Sequence, residues 1–365
     1  MGEPLRIGIV GIGTISGQYL TTIDALDQLQ LVGVSDLDPA RAEQAAAERP
    51  GVAAVSTPEL LRRDDIDVIL NLTTPMEHVD VALAAIRAGK SVYGEKPLAT
   101  NTDDAERVLI AASDAGVAVA CAPDTVLGTG IQTARKAVDD GLIGRPIAAT
   151  ATMVTPGHER WHPAPDFYYQ PGGGPLLDMG PYYLTALVTL LGPIVQVTSM
   201  TSRMRATRRI ETGPRAGTTI PVGVDSHVTA LLEHADGAIS TLLVSFDAVG
   251  TRSANIELHG ESGTLVVPDP NYFSGAVEVM PLGSTEWAAV APSAGYLVGG
   301  RGIGLADLAA TAPGREPRAG GLLAFHVLDV MESIVGAAAS GRAVQVGSTA
   351  ARPDPVPLAD LRLPS

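Results

Sequence analysis

The chain reads as α/β: an N-terminal domain with a parallel sheet, followed by an α+β domain with a largely antiparallel or mixed sheet. Three observations predict this. From residue 5 to about 122, short apolar runs alternate with helical patterns, the signature of parallel strands joined by crossover helices. From about residue 123 the pattern shifts to long β-rich runs with few helices. At 365 residues with 45% hydrophobic content, the chain is long enough for two domains with real cores. The expected boundaries are 1–122, 123–350 and a Pro-containing tail, 351–365.

Leu5 to Val10 is an apolar run suited to a strand buried on both faces. Gly11-Ile12-Gly13 follows at once, and Ile15, Tyr19, Ile23 and Leu26 then recur at helical spacing. Leu31 to Ser35 is a second strand. Pro39 to Glu48 reads as a helix with Pro in its first turn, and Pro58 to Leu61 as a short one. Val68 to Leu72 is a buried strand, and Glu77 to Ala88 a helix closed by Gly89. Ser91 to Tyr93 is a strand, Thr102 to Ala115 a helix ending at Gly116, and Val117 to Cys121 the last strand of this series.

In the second part, Ile131, Ala134 and Val138 mark an amphipathic helix ending at Gly141. Strands are expected at Ile147 to Val154, Ile194 to Met200, His227 to Glu233, Ala238 to Phe246, Asn255 to His259 and Thr264 to Val267. Asp236-Gly237 suits a hairpin turn. Between these, Gly172-Gly173-Gly174-Pro175 leads into LLDMGPYYLTALVTLLG. Asp178, Tyr182, Thr185 and Thr189 fall on one line of that helix, the rest of which is apolar, so a buried helix with one polar stripe facing a cleft is expected. Gly180 suits close approach of a backbone or ligand, and Pro181 a first turn. Val327, Met331, Ile334 and Ala338 predict a late helix, with His326 between its apolar and exposed sides.

The net charge of −15 argues against nucleic acid or an anionic membrane as a partner held by a basic field. The single cysteine, Cys121, excludes an internal disulfide and fits a reducing cytoplasm. The N-terminal residues carry no secretory pattern and no myristoylation signal, Arg standing at position 6. No run of about 20 apolar residues suggests a membrane span.

Strand, glycine turn and helix form the context that gives a dinucleotide fingerprint its meaning. Gly11 permits the tight turn, and Gly13 lets the main chain approach a pyrophosphate seated on the helix N-terminus, beside Thr14 and Ile15. Ser16 replaces the third glycine. Asp36, at the end of the second strand and 23 residues beyond Gly13, stands where a carboxylate accepts from ribose hydroxyls. It repels a 2′-phosphate, which favours NAD over NADP. The alternative is that Asp36 merely caps the following helix.

Three further strand ends line the binding edge of such a sheet: Thr73-Thr74-Pro75 with His78, Gly94-Glu95-Lys96-Pro97, and Cys121 onward. Lys96 is placed to carry positive charge towards a substrate hydroxyl or a developing alkoxide; a solvated loop lysine is the competing reading. His78 either borders the nicotinamide or packs in a turn. Cys121 reads as a small buried hydrophobe. Trp161 and His162 in GHERWHPAPDFYY offer a wall and a polar contact for a substrate pocket. The His158–His162 spacing invites a metal, but the loop brings no matching Cys or Glu set, so none is expected.

Together the glycine turn, Asp36, Thr74-Pro75 with His78, Glu95-Lys96-Pro97, Gly144-Arg145-Pro146 and the Gly172–Gly192 segment resemble the Gfo/Idh/MocA oxidoreductases, the family of glucose–fructose oxidoreductase and inositol dehydrogenase. The resemblance implies a Rossmann domain followed by an α/β domain whose open sheet forms dimers or tetramers. It implies NAD- or NADP-dependent chemistry at a hydroxyl/carbonyl carbon of sugars, inositols and related compounds. Lys96 resembles the family's substrate-contacting lysine, and Asp178 its cleft aspartate. The family's usual pattern is Asp-x-Gly-x-His-x-x-Asp; this chain has Tyr182 in place of the His and Thr185 in place of the second Asp, and the glucose–fructose oxidoreductase branch also has Tyr at the first. Tyr182 is then the expected acid/base, with Lys96 favouring its anion and Asp178 orienting the substrate or holding Lys96. Three rivals stay open: a redox-neutral NAD-dependent glycosidase or lyase, a tight-cofactor sugar–sugar oxidoreductase, and a non-catalytic NAD-binding regulator.

Overall fold

The computed structural model describes residues 3–312 and 314–361. Met1, Gly2 and the end of the 351–365 tail lie outside the described residues. The chain divides into two compact units, Met1–Thr129 with Ala294–Leu328 and Pro353–Ser365, and Gly130–Ser293 with Asp329–Arg352. The segment after residue 294 and the tail return to the first unit, where Ala294 bridges Pro357 and Tyr296 bridges Ala359.

The first unit is built on β1 (Leu5–Val10), α1 (Ser16–Ala25), β2 (Leu29–Ser35), α2 (Pro39–Ala47), β3 (Ala53–Ala54), α3 (Thr57–Arg62), β4 (Val68–Asn71), α4 (His78–Arg87), β5 (Ser91–Gly94), α5 (Thr102–Ala115) and β6 (Val119–Cys121). Its sheet has the order β3-β2-β1-β4-β5-β6, and every neighbouring pair is parallel. The two-residue β3 is too short to leave a periodic signal, and the sequence reading misses it. The order reverses between β1 and β4, so the loops after these strands flank the crevice where such sheets bind ligands. Ile7, Ile9, Val34, Val68 and Leu70 are wholly buried, each contributing roughly 1.5–3 kcal/mol of apolar burial. Helix starts follow local chemistry. Asp38 accepts from the Ala40 amide at the head of α2, Asn101 from that of Asp104 at α5, and Ser56 with Glu59 forms a capping box on α3.

The second unit opens with α6 (Thr129–Asp139), whose first residue closes the first, then β7 (Pro146–Val154), α7 (Pro175–Leu191), β8 (Ile194–Ser202), β9 (Thr207–Arg209), β10 (Thr219–Pro221), β11 (His227–His234), β12 (Ile239–Ser245), β13 (Ile256–Gly260), β14 (Gly263–Val267), β15 (Val277–Pro281) and β16 (Ala288–Val290). Further along come α8 (Ile303–Ala310), in the returning segment of the first unit, α9 (Gly321–Ser340), assigned to the second unit from Asp329 on, and β17 (Val344–Gln345). Nine strands form the sheet β16-β15-β14-β13-β7-β12-β11-β8-β17. The β7–β12 pair is parallel and the others are antiparallel. The Asp236-Gly237 hairpin joins β11 to β12 in the register Glu233↔Ile239. Along β11 burial alternates, Val228, Ala230 and Leu232 inward and Thr229, Leu231 and Glu233 outward. The inner face packs on α7; on the outer face Ile147, Met200, Leu231 and Ile239 are exposed.

Four expectations about the helices need correction. Thr185 and Thr189 are buried, and the Thr189 hydroxyl donates to the Thr185 carbonyl at 2.7 Å, so the polar stripe of α7 ends at Tyr182. α7 starts at Pro175 and Pro181 lies inside it, past the first turn, where proline removes a main-chain donor. Gly180 faces protein rather than ligand: a Cβ there would sit 3.2 Å from Met331 Sδ. Lastly, α9 is long and apolar enough to cross a membrane, with a mean hydropathy of 1.6. Asp329 and Glu332 lie within it and half of it is buried in protein, as in the core helix of a folded domain.

Candidate active site

At the β1–α1 turn, Gly11 has φ +99°, and a Cβ there would meet the Leu72 carbonyl oxygen at 2.7 Å. Glycine is therefore required by the protein itself. Gly13 is different. It is exposed, and nothing lies within 4 Å of where its Cβ would be, so its missing side chain clears space for something other than protein. No side chain caps α1, and its first turn carries no acidic residue, which leaves main-chain donors and the positive end of the helix for an anion. Thr14 is exposed and Ile15 half-buried at this opening. Ser16 is buried and its hydroxyl donates to the Gly13 carbonyl at 2.7 Å, so it locks the turn that a third glycine would leave loose.

The Asp36 carboxylate accepts from the Ile12 amide at 2.6 Å and the Asp38 amide at 2.8 Å. The cap of α2 is Asp38. The capping role considered for Asp36 thus falls to its neighbour, and Asp36 is held at the mouth of the glycine turn.

After β4, Asn71 Oδ1 accepts from the Thr73 hydroxyl at 2.6 Å, and its amide donates to the His78 carbonyl at 3.0 Å. Thr74 and Pro75 are exposed on this loop. The His78 ring is buried, with Nδ1 2.7 Å from the Pro97 carbonyl and Nε2 3.1 Å from that of Thr73. Burial lowers its pKa. His78 thus pins the loop after β4 to the Lys96-Pro97 turn after β5, whose peptide bond is cis. In that turn Glu95 accepts from the Tyr19 hydroxyl at 2.7 Å and from the Lys96 amide at 3.0 Å. Lys96 is half-buried.

Sequence reasoning missed Asp124. It is wholly buried, and its Oδ2 accepts from the amides of Gly302 (2.8 Å) and Gly304 (3.1 Å). Burial raises its pKa against the effect of these amides. Tyr93 is also wholly buried, and burial followed by the Asp124 charge pushes its hydroxyl well up. A carboxylate in the apolar run CAPDT was the available signal; the partners, more than 170 residues away, gave none. Cys121 is buried, with Sγ 3.6 Å from the Glu95 carbonyl, and burial raises its pKa. His326 is buried on α9.

In the second unit, the Gly-Gly-Gly run folds back on residues 167–170. The Gly174 amide donates to the Tyr168 carbonyl at 2.8 Å, and a Cβ on Gly173 would lie 2.3 Å from the Phe167 carbonyl oxygen. This turn sets the start of α7 and presents Asp178 in its first turn. Tyr182, one turn on, is buried. His158 Nε2 lies 3.4 Å from Asp178 Oδ2. Trp161 and Phe167 are exposed, and His162 lies between them and Tyr168 with ring centroids 5.4–5.6 Å apart. His162 Nδ1 accepts from the Ala164 amide at 3.1 Å, so the two loop histidines have different partners.

Beneath this loop Arg208 of β9 is buried. It donates to Glu159 at 2.8 Å, to Asp247 at 2.5 Å, and to the carbonyls of Pro156 and Phe246. Tyr169 donates to Glu159, and Ser226 to Asp247. This buried network joins the 156–169 loop, the β9–β10 hairpin and the end of β12, and the sequence reading contains no trace of it.

Residues 5–122 match the sequence model described as an oxidoreductase family with an NAD-binding Rossmann fold, and residues 131–266 match the GFO/IDH/MocA C-terminal domain. The chain is 29% identical over 280 residues to a dTDP-3,4-didehydro-2,6-dideoxy-alpha-D-glucose 3-reductase of Streptomyces antibioticus, covering 73% of this chain and 84% of that one. It is 28% identical over 269 residues to the 1,5-anhydro-D-fructose reductase of Ensifer adhaerens, covering 72% and 75%. It is 27% identical over 271 residues to inositol 2-dehydrogenase 3 of Saccharopolyspora erythraea, covering 73% and 74%. Among solved structures, an NAD binding oxidoreductase from Klebsiella pneumoniae superposes with a TM-score of 0.82 at 25% identity, over 94% of this chain and 99% of that one. A levoglucosan dehydrogenase in complex with NADH and L-sorbose shares the fold, with a TM-score of 0.79 at 20% identity over 95% of this chain and 100% of that one. The chain belongs to the GFO/IDH/MocA oxidoreductase family, and its first unit is an NAD-binding Rossmann domain.

Proposed function

We propose that the protein is an NAD-dependent dehydrogenase or reductase that transfers hydride between the nicotinamide and a hydroxyl/carbonyl carbon of a sugar, an inositol or a sugar derivative. The observation that carries this is the glycine turn: the space left over Gly13, the uncapped start of α1 and the fixed Asp36 carboxylate fit a dinucleotide with a free ribose 2′-hydroxyl. Asp36 disfavours a 2′-phosphate, hence NAD before NADP. The substrate class is supported by the sugar and inositol relatives.

In this reading Gly11, Gly13, Thr14 and Ile15 take the pyrophosphate, and Asp36 the adenosine ribose. Thr73, Thr74, Pro75, Glu95 and Lys96 border the rest of the cofactor, with His78 fixing their loops. The bound nicotinamide supplies the hydride acceptor or donor. Lys96 brings positive charge to the substrate oxygen, where it favours the alkoxide that forms as the hydroxyl proton leaves. Tyr182 takes or returns that proton. Asp178 accepts a hydrogen bond from the substrate and orients it. Trp161 offers an apolar wall and His162 a polar contact. The chain assembles as a homodimer or homotetramer through the outer sheet face bearing Ile147, Met200, Leu231 and Ile239, and it works in the cytoplasm.

The test is Tyr182→Phe. It should lower kcat by about 10²–10⁴, the usual worth of a positioned acid/base, with the NAD dissociation constant nearly unchanged. An unchanged kcat would end the proposed role of Tyr182.

A further inference from the structure

We propose that His158 is the positioning residue of Asp178: its ring donates Nε2–H to the Asp178 carboxylate and fixes that carboxylate in the orientation that meets the substrate. This rests on the reading above, in which Asp178 contacts the substrate.

Two nitrogens of one ring decide the matter. Nε2 lies 3.4 Å from Asp178 Oδ2, a separation that tightens into a hydrogen bond in a loaded site. Nδ1 is buried, and no described residue offers it a hydrogen-bond partner. A proton on Nδ1 would be a buried donor without an acceptor, which is costly; a bare lone pair there is the cheaper state. Of the two tautomers, the one with its proton on Nε2, facing the carboxylate, is therefore favoured.

The ring is also immobilised. It is flanked by Tyr168, Phe246 and Trp161, with centroids at 4.1, 4.3 and 5.2 Å. Its own amide donates to the Tyr169 hydroxyl at 3.0 Å. That hydroxyl donates to Glu159, which the buried Arg208 holds in turn. His158 thus carries the rigidity of the Arg208 network to the first turn of α7. His158 reaches this carboxylate from a loop some 20 residues upstream in sequence.

The test uses the full-length protein in three arms. Long-range ¹H–¹⁵N NMR on histidine-labelled protein, with His158→Gln used for assignment, should show a proton on His158 Nε2. A bare Nε2, with the ring's proton on Nδ1, would overturn the proposal. Kinetics on whichever inositol, aldose or glycoside turns over fastest then compares two variants. His158→Phe keeps the aromatic packing and loses the donor; His158→Gln loses the ring and keeps an N–H donor. The donor role predicts that His158→Phe lowers kcat/KM by at least about tenfold and that His158→Gln recovers much of the loss. A packing role predicts the reverse order, and that result would sink the proposal. Asp178→Asn separates the two levels. If it is impaired while His158→Phe is not, this proposal alone fails; if it turns over like wild type, the substrate-contact reading fails and takes this proposal with it.

Discussion

In the first unit, the loops at the carboxyl edge of the sheet are fastened mainly by the main chain. Asp36 is held by two amides, Asn71 by its own loop, His78 by the Pro97 carbonyl, and Glu95 by the amide that follows it. In the second unit the 156–169 loop is fastened by charge: one buried guanidinium serves two carboxylates from separate segments. Main-chain fastening depends on glycine positions, strand ends and short spacings, which a sequence displays. Charge fastening depends on which distant residues meet, which it does not. Both arrangements fix their loops, but they should break in different ways.

The largest effect is expected at Arg208. Arg208→Ala leaves Glu159 and Asp247 without their buried partner and should cost about 3–5 kcal/mol of stability, read by chemical denaturation. A cost below about 1 kcal/mol would mean that these charges behave as surface ions. The two glycines of the first unit form the next test. Gly11→Ala forces a Cβ onto the Leu72 carbonyl at positive φ and should cost about 1–3 kcal/mol. Gly13→Ala has free space around it and should change stability by no more than about 0.5 kcal/mol, while weakening NAD binding by about tenfold or more. If Gly13→Ala bound NAD as tightly as wild type in calorimetry, the space over Gly13 would not be the pyrophosphate seat.

This contrast also explains what the sequence disclosed. The alternation of strands and helices up to Cys121, the fingerprint, Asp36 and the Gly-Gly-Gly turn into α7 all depend on local rules, and all could be read directly. The edge strand Ala53–Ala54 is too short to show periodicity. Asp124 meets amides near residue 303, and Arg208 meets Glu159 and Asp247 across 49 and 39 residues. No spacing rule connects such pairs. His158 was visible as a residue but not as the neighbour of Asp178, because the glycine turn that brings α7 back to the loop sets that meeting.

A smaller effect concerns pH. His78 and His234 are buried, and burial lowers both pKa values. Each is neutral in the folded state at a pH where the unfolded chain already binds a proton, so stability falls as pH drops below about 6.5, the unfolded value. Melting temperature followed from pH 8 to 5 should decline through that window, and less steeply in His234→Gln, whose side chain does not titrate. Equal slopes would assign the acid sensitivity elsewhere.

The most direct test of the central claim is NADH absorbance with NAD and a panel of inositols, aldoses and glycosides, run beside Lys96→Ala. The account predicts NADH production from at least one member of the panel, lost in the Lys96→Ala protein. NAD binding without turnover of any panel member, and without NADH oxidation by the corresponding keto compounds, would contradict it.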